Sequence, residues 1–238
     1  MVRRWHNAQM VRSDTSMWPL FLDGTASPIG CGITFIDRPI DVVREAVLAD
    51  PAPVPYEVRA ARPLPDGLDA LDPMEAPWTV QLLVDCGNWT AYLNNGLDGG
   101  DITAAAPAVA RQLDARCIVA GHIGPYGPGH AVTQLWLMGP DGEPPLMYVR
   151  TLAAYAQDGR WSWHESGTPR VWEDTERYTA RLKRERLDRG LLVHYLDKLG
   201  IKVDDPDFFG DATVISQQVP WPTRRVSVND WRRERTSP

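Results

Sequence analysis

Val80-Gln81-Leu82-Leu83-Val84-Asp85-Cys86-Gly87-Asn88-Trp89-Thr90-Ala91-Tyr92-Leu93 contains two short apolar runs separated at Gly87 and Asn88. Runs this short, rich in branched and aromatic residues and broken by turn formers, make a hairpin rather than a helix. The pattern returns at residues 117–120, 132–138, 145–156 and 161–164, with turn signals at Asp141-Gly142 and Asp158-Gly159. Joins too short for a crossover force neighbouring strands to pair antiparallel. The fold class is therefore α+β, a predominantly antiparallel sheet with flanking helices and a C-terminal helical region.

Upstream, residues 33–36 read as a strand, and Asp37-Arg38-Pro39 opens a helix that carries Ile40, Val43, Ala46 and Val47 on one face and stops near Asp50-Pro51. Seven prolines from Pro51 to Pro77 make about 51–77 a long proline-rich loop, in which residues 56–60 fit an edge strand. Asn94-Asn95-Gly96 and Gly99-Gly100 mark a turn, after which Asp101 or Thr103 caps a helix with Ile102, Ala106, Val109, Ala110 and Leu113 on one side. A helical region follows from Glu173, divided near Gly190 and ended by Gly200. Residues 1–215 thus read as a single α+β domain, and 216–238, with Pro220, Pro222 and Arg232-Arg233-Glu234-Arg235, as an extended basic tail.

With 43% hydrophobic and 24% charged residues over 238 positions, the chain has the composition of a soluble globular protein that can bury its own core. The charge of −6 is uneven: residues 37–114 hold 13 acidic and 5 basic side chains, residues 150–238 hold 16 basic and 14 acidic. That balance offers no general attraction to phosphate backbones. Three widely spaced cysteines make no disulfide framework and fit a reducing, cytoplasmic setting, and no apolar run reaches the length of a membrane span.

Ten tryptophans are the conspicuous compositional feature, and six of them, Trp78, Trp89, Trp136, Trp161, Trp163 and Trp172, fall in or beside predicted strands. Trp161 and Trp163 alternate at strand period and share a face, either as core or as an exposed aromatic platform. Trp89 and Tyr92 differ in parity, so at least one of them is expected to face away from the core.

No constellation amounts to a catalytic signature. Cys117, His122 and His130 are the nearest approach to a metal set, but their spacing matches no zinc pattern, and a buried cysteine with two loop histidines accounts for them. The Gly121–Gly129 stretch resembles a phosphate loop only in its glycines, lacking the Gly-Lys-Ser/Thr ending, and reads as a turn between strands. Asp85, Asp98 and Asp101 could form a carboxylate set, although turn and cap chemistry explains Asp98 and Asp101. No metal or cofactor is implied. Arg177, Arg181 and Arg184 would share a helical face and could meet phosphates, but Glu176, Glu185 and Asp188 dilute them, so a solvated face with ion pairs is the simpler reading.

Three segments, Gly87-Asn88-Trp89-Thr90-Ala91-Tyr92-Leu93-Asn94-Asn95, Tyr148-Val149-Arg150-Thr151 and Gly159-Arg160-Trp161-Ser162-Trp163-His164-Glu165-Ser166-Gly167-Thr168, resemble a family of uncharacterised actinobacterial proteins over about residues 80–210. The resemblance implies no activity and no catalytic residue. The functional expectation is a non-enzymatic binding or interaction protein, of which an immunity protein is one kind, meeting a protein partner through an acidic and aromatic surface. Its candidate residues are Trp89, Tyr92, Asp98, Asp101, Trp161 and Trp163. The alternative is an enzyme or nucleic-acid-associated factor using the His122/His130 loop or the basic 177–189 helix, with Arg177, Arg181 and Arg184.

Overall fold

The computed structural model describes residues 20–21, 27–50, 54–100, 102–126 and 129–236. In chain order the regular elements are β1 (Gly32–Ile36), α1 (Ile40–Ala49), β2 (Tyr56–Ala61), β3 (Met74–Ala76), β4 (Val80–Cys86), β5 (Trp89–Asn94) and α2 (Ala105–Gln112). They continue with β6 (Cys117–Tyr126), β7 (His130–Glu143), β8 (Tyr148–Gln157), β9 (Arg160–Ser166), α3 (Arg189–Lys198), β10 (Ala212–Gln217), β11 (Arg224–Val226) and α4 (Val228–Thr236). Nine strands form one sheet in the order β2-β10-β4-β5-β1-β6-β7-β8-β9, every pair antiparallel, and β11 pairs with β3 beside it.

The hairpin expected at 80–93 is β4–β5, closed by a two-residue loop with Gly87 at φ 70°. The β8–β9 hairpin closes likewise through Asp158 at φ 50° and Gly159 at φ 72°, the left-handed pair that suits the twist of adjoining strands. The proline-rich stretch is more ordered than a loop: it holds β2, the edge strand of the sheet, a 3-10 turn at Asp66–Leu71 and β3. The join is fastened by the buried Asn95 side chain, whose Oδ1 accepts from the backbone N–H of Thr79 and Val80, each at 2.9 Å.

The two faces of the sheet are covered to different extents. One face, bearing Ile33, Phe35, Leu82, Val84, Ala91, Leu93, Ile118, Ala120, Leu135, Leu152 and Ala154, is packed across its width by Leu68 and Leu71, by Leu192, Tyr195 and Leu196 of α3, by Ile201, Val203 and Phe209, and by Trp231 of α4. The other bears Ile36, Leu83, Tyr92, Val119 and Ile215 under Val43 and Val47 of α1 and Ala106 and Ala110 of α2, and this layer reaches β7 only at its Met138 end. The alanines of α2 let its backbone approach closely, and Thr34 Oγ1 donates to Ile102 O at 2.8 Å just before it.

Three expectations are corrected. The basic stretch 177–189 is not one helix: it runs through 3-10 turns at Thr175–Thr179 and Lys183–Glu185 before α3 begins at Arg189, with Asp188 as its cap accepting from Leu191 N at 2.8 Å. Residues 216–238 are not an extended tail, because they contain β11 and α4 and sink Trp231 into the core, and β10 straddles the expected boundary. Trp89 and Tyr92 do lie on opposite faces, yet both are buried, since this part of the sheet is covered on both sides.

Candidate functional site

Beyond the reach of α1 and α2, no described element covers the second face of β7–β9 and the Ile123 end of β6, and the strand registers turn that side of the sheet into a grid. Val119, Trp136, Thr151 and Ser166 form one row across the strands; Gly121, Gln134, Ala153 and His164 form the next; Ile123, Val132, Tyr155 and Ser162 the third. In the middle row Ala153 is a small residue between Thr151 and Tyr155 of its own strand, while the Gln134 side chain lies against Gly121. The face is therefore hollowed into a concavity of about 830 Å³, bordered by Trp136 and Tyr148 at one end and Tyr155 and His130 at the other.

Trp136 and Tyr148 meet edge to face, their centroids 5.9 Å apart and planes at 87°, a stable geometry for neighbouring rings. Tyr155 is 42% exposed, much for a ring in a sheet interior. From the Trp136 row to the Tyr155 row is four residues, ~14 Å at ~3.4 Å per residue. Polar groups reach the hollow from Gln134, His130, His164, and the hydroxyls of Thr151 and Ser166, which are 2.6 Å apart. No carboxylate, ammonium or guanidinium is among the described side chains that line it. The surface is aromatic and neutral, suited to holding an uncharged group, and it contains no paired acid and base.

The opposite face of β8 and β9 is anchored by Arg150. Its guanidinium, 1% exposed, donates through Nη1 to the carbonyls of Ser166 at 3.1 Å and Gly167 at 2.8 Å, through Nη2 to Glu165 at 2.9 Å, and through Nε and Nη2 to the wholly buried Glu173 carboxylate. Burial disfavours the charged guanidinium, but hydrogen bonds from it to Glu173 and Glu165 outweigh that and raise its pKa. Tyr178 Oη also donates to Glu173, at 2.8 Å, and lies 3.0 Å from Tyr195 Oη, which accepts from Asp174 N at 2.9 Å. Gly167 is at φ 79°, and any side chain there would collide with the Val149 carbonyl. This network is fully engaged with the chain itself: it pins residues 167–180 against the sheet and holds β9 in place.

The residues singled out from sequence are dispersed. Trp161 and Trp163 share a face as expected, but it is the Arg150 face, where both are half-buried and Trp163 packs on Tyr178 at 5.1 Å. Trp89 is buried with the Arg116 guanidinium 5.6 Å from its ring, and Tyr92 lies beneath the helices. Asp98 belongs to the 3-10 turn Leu97–Gly99; its side chain, like Asp101, lies outside the described residues. Arg177 donates to Asp188 at 2.9 Å and to the Glu185 carbonyl, while Arg181 and Arg184 are exposed on separate irregular turns. His122 and His130 point to opposite faces: His122 Nδ1 is 2.9 Å from Thr133 Oγ1 on the core side, and His130 lines the hollow. Burial raises the Cys117 thiol far above its ordinary value, and no group of three metal-ligating side chains occurs among the described residues.

Gln134, Tyr148, Thr151, Tyr155, His164 and Ser166 line the hollow without standing out in the sequence. Their signal was alternation, Val132-Gln134-Trp136 against Ala131-Thr133-Leu135, but alternation does not say how far the covering helices extend. Compared with known proteins, the chain matches no family model, no curated protein and no solved structure. Among the described residues, no helix is long and apolar enough to cross a membrane.

Proposed function

We propose that this chain is a binding protein that holds a protein partner without transforming it, and that the face of β7–β9 beyond the reach of α1 and α2 is its recognition surface. The observation that carries this reading is the concavity itself: a sheet face with Trp136, Tyr148 and Tyr155 around a floor at Ala153, to which, among the described residues, the layer of α1 and α2 does not extend. Aromatic rings over a small-residue floor form a natural pocket for an inserted partner side chain, and the surrounding amide, imidazole and hydroxyl groups supply orientation. Recognition is aromatic rather than acidic, because the carboxylates of residues 37–114 are not among its lining side chains. Two of the segments that carry the family resemblance, 148–151 and 159–168, form the β8–β9 side of this surface.

The test is capture on immobilised protein at low and at physiological salt, comparing wild type with Tyr155→Ala and Ala153→Leu. Stoichiometric retention by wild type and loss by both variants is expected. Failure to retain any stoichiometric partner, or equal retention by all three, sinks the reading. A partner whose activity falls on binding would make the role inhibitory, of the immunity kind.

A further inference from the structure

β9 is the last strand of the sheet, paired with β8 in an unbroken register from Gln157↔Arg160 to Thr151↔Ser166, and no described strand lies beyond it. An unpaired edge presents a row of backbone donors and acceptors to any other strand, so exposed edges are usually guarded by charge, proline or a bulge. The opposite edge is guarded: β2 carries Glu57 and Arg59 and is bracketed by Pro55 and Pro63. β9 has no proline and no register shift, and its middle, Trp161-Ser162-Trp163-His164, bears no carboxylate, lysine or arginine. Its charged residues lie towards its ends, and one of them, Glu165, is drawn inward by Arg150.

We propose that β9 pairs with β9 of a second copy of this chain, antiparallel about a two-fold axis at Trp163. This register joins all seven residues of the strand. It sets Arg160 opposite Ser166, Trp161 opposite Glu165, Ser162 opposite His164, and Trp163 opposite its own equivalent. No like charges face each other, and an aromatic pair lies at the centre, both favourable features of cross-strand pairing. The long-range balance agrees: β9 belongs to the segment 150–238, with 16 basic and 14 acidic residues, and not to the strongly acidic 37–114. An isologous pairing also covers both copies of the edge at once.

The dimer changes the recognition surface. Arg160, Ser162, His164 and Ser166 share the concave face, so the two hollows become continuous across the axis. Arg160 of the second copy then stands opposite Ser166 and brings a cation to the rim of an otherwise uncharged surface.

Sedimentation equilibrium across a wide range of concentration tests the pairing, with circular dichroism and thermal melts to establish that each variant is folded. Wild type is expected to dimerise reversibly. Ser162→Lys with His164→Lys puts like charges opposite each other twice, once on each side of the axis, and should weaken the dimer about tenfold. Ser162→Asp with His164→Lys puts opposite charges in the same positions and should restore it, and Val58→Lys on the β2 edge should change nothing. A wild type that is monomeric throughout, a dimer indifferent to the two lysines, or one weakened equally by the Asp/Lys pair overturns the proposal.

Discussion

The Glu173 carboxylate, wholly buried, accepts from Arg150 Nε at 3.0 and 3.1 Å and from Nη2 at 2.8 Å, so that a loop residue supplies the counter-charge for a strand residue. Two charges so placed are costly to bury and costlier to separate. Glu173→Leu should therefore destabilise the protein by about 3–5 kcal/mol, because it leaves the guanidinium with only the half-exposed Glu165 as counter-ion. Arg150→Met combined with Glu173→Leu should cost less than Glu173→Leu alone. Urea midpoints for the three proteins check this; a double variant at least as unstable as the single would show that the pair is held by packing instead of charge.

Ala153 forms the floor of the concavity, and a leucine there grows into solvent-filled space rather than into the core. Tyr155→Ala, at an exposed ring, should leave stability within ~1 kcal/mol of wild type, as surface changes usually do, and so should Ala153→Leu, whose added atoms enter the hollow. Both should abolish partner retention, one by filling the hollow and the other by removing its wall. Denaturation midpoints beside binding isotherms separate the two effects.

Alkaline pH should destabilise the fold. Burial pushes the Cys31 and Cys86 thiols from an ordinary 9.0 up to about 12 and raises the Tyr178 and Tyr195 hydroxyls, which therefore keep protons that the unfolded chain gives up. Above their ordinary values the native state binds more protons than the unfolded state, so the free energy of unfolding falls as pH rises. The stability contributed by the thiols is whole below about pH 9 and is lost as pH climbs through about 12. A urea midpoint that does not fall across that window would refute this. The same burial predicts that a thiol reagent modifies Cys31, Cys86 and Cys117 only after denaturation.

Trp231 is 6% exposed on a helix that sequence composition alone presents as a basic tail. Trp231→Ala should cost about 3 kcal/mol, in the range for a buried aromatic truncated to alanine. Thermal melts that coincide with wild type would mean that α4 adds nothing to the core.

Strand positions were legible because each strand carries its own evidence: a branched or aromatic run between glycine-bearing turns, as in 80–93 and 148–166. Helix α1 was equally clear from Pro39 and the spacing of Val43 and Val47. The site was not legible, because it is defined by what fails to cover it. Trp136 and Trp163 look alike in sequence, each alternating with polar or small residues, and only the reach of α2 and the loop held by Glu173 decides which borders a hollow and which packs on Tyr178. The tail is illegible for a related reason: α4 is strongly polar apart from Val228 and Trp231, so two anchoring residues carry a contact that periodicity does not reveal. Likewise the arginines of 177–189 suggest a helix by spacing, whereas local side-chain bonds, such as Arg177 to the Glu185 carbonyl, favour separate turns.

β10 lies between β2 and β4, pairing Val214 with Arg59 on one side and Leu82 on the other, across more than 100 residues of intervening chain. On the ribosome, β1 and β4–β9 can assemble as they emerge, but β2 has no partner until Gln217 has been synthesised. Closing so distant a pairing is slow, and during that interval the Leu82 strand presents a bare apolar edge. Nascent chains stalled before β10 should therefore be the species that chaperones hold.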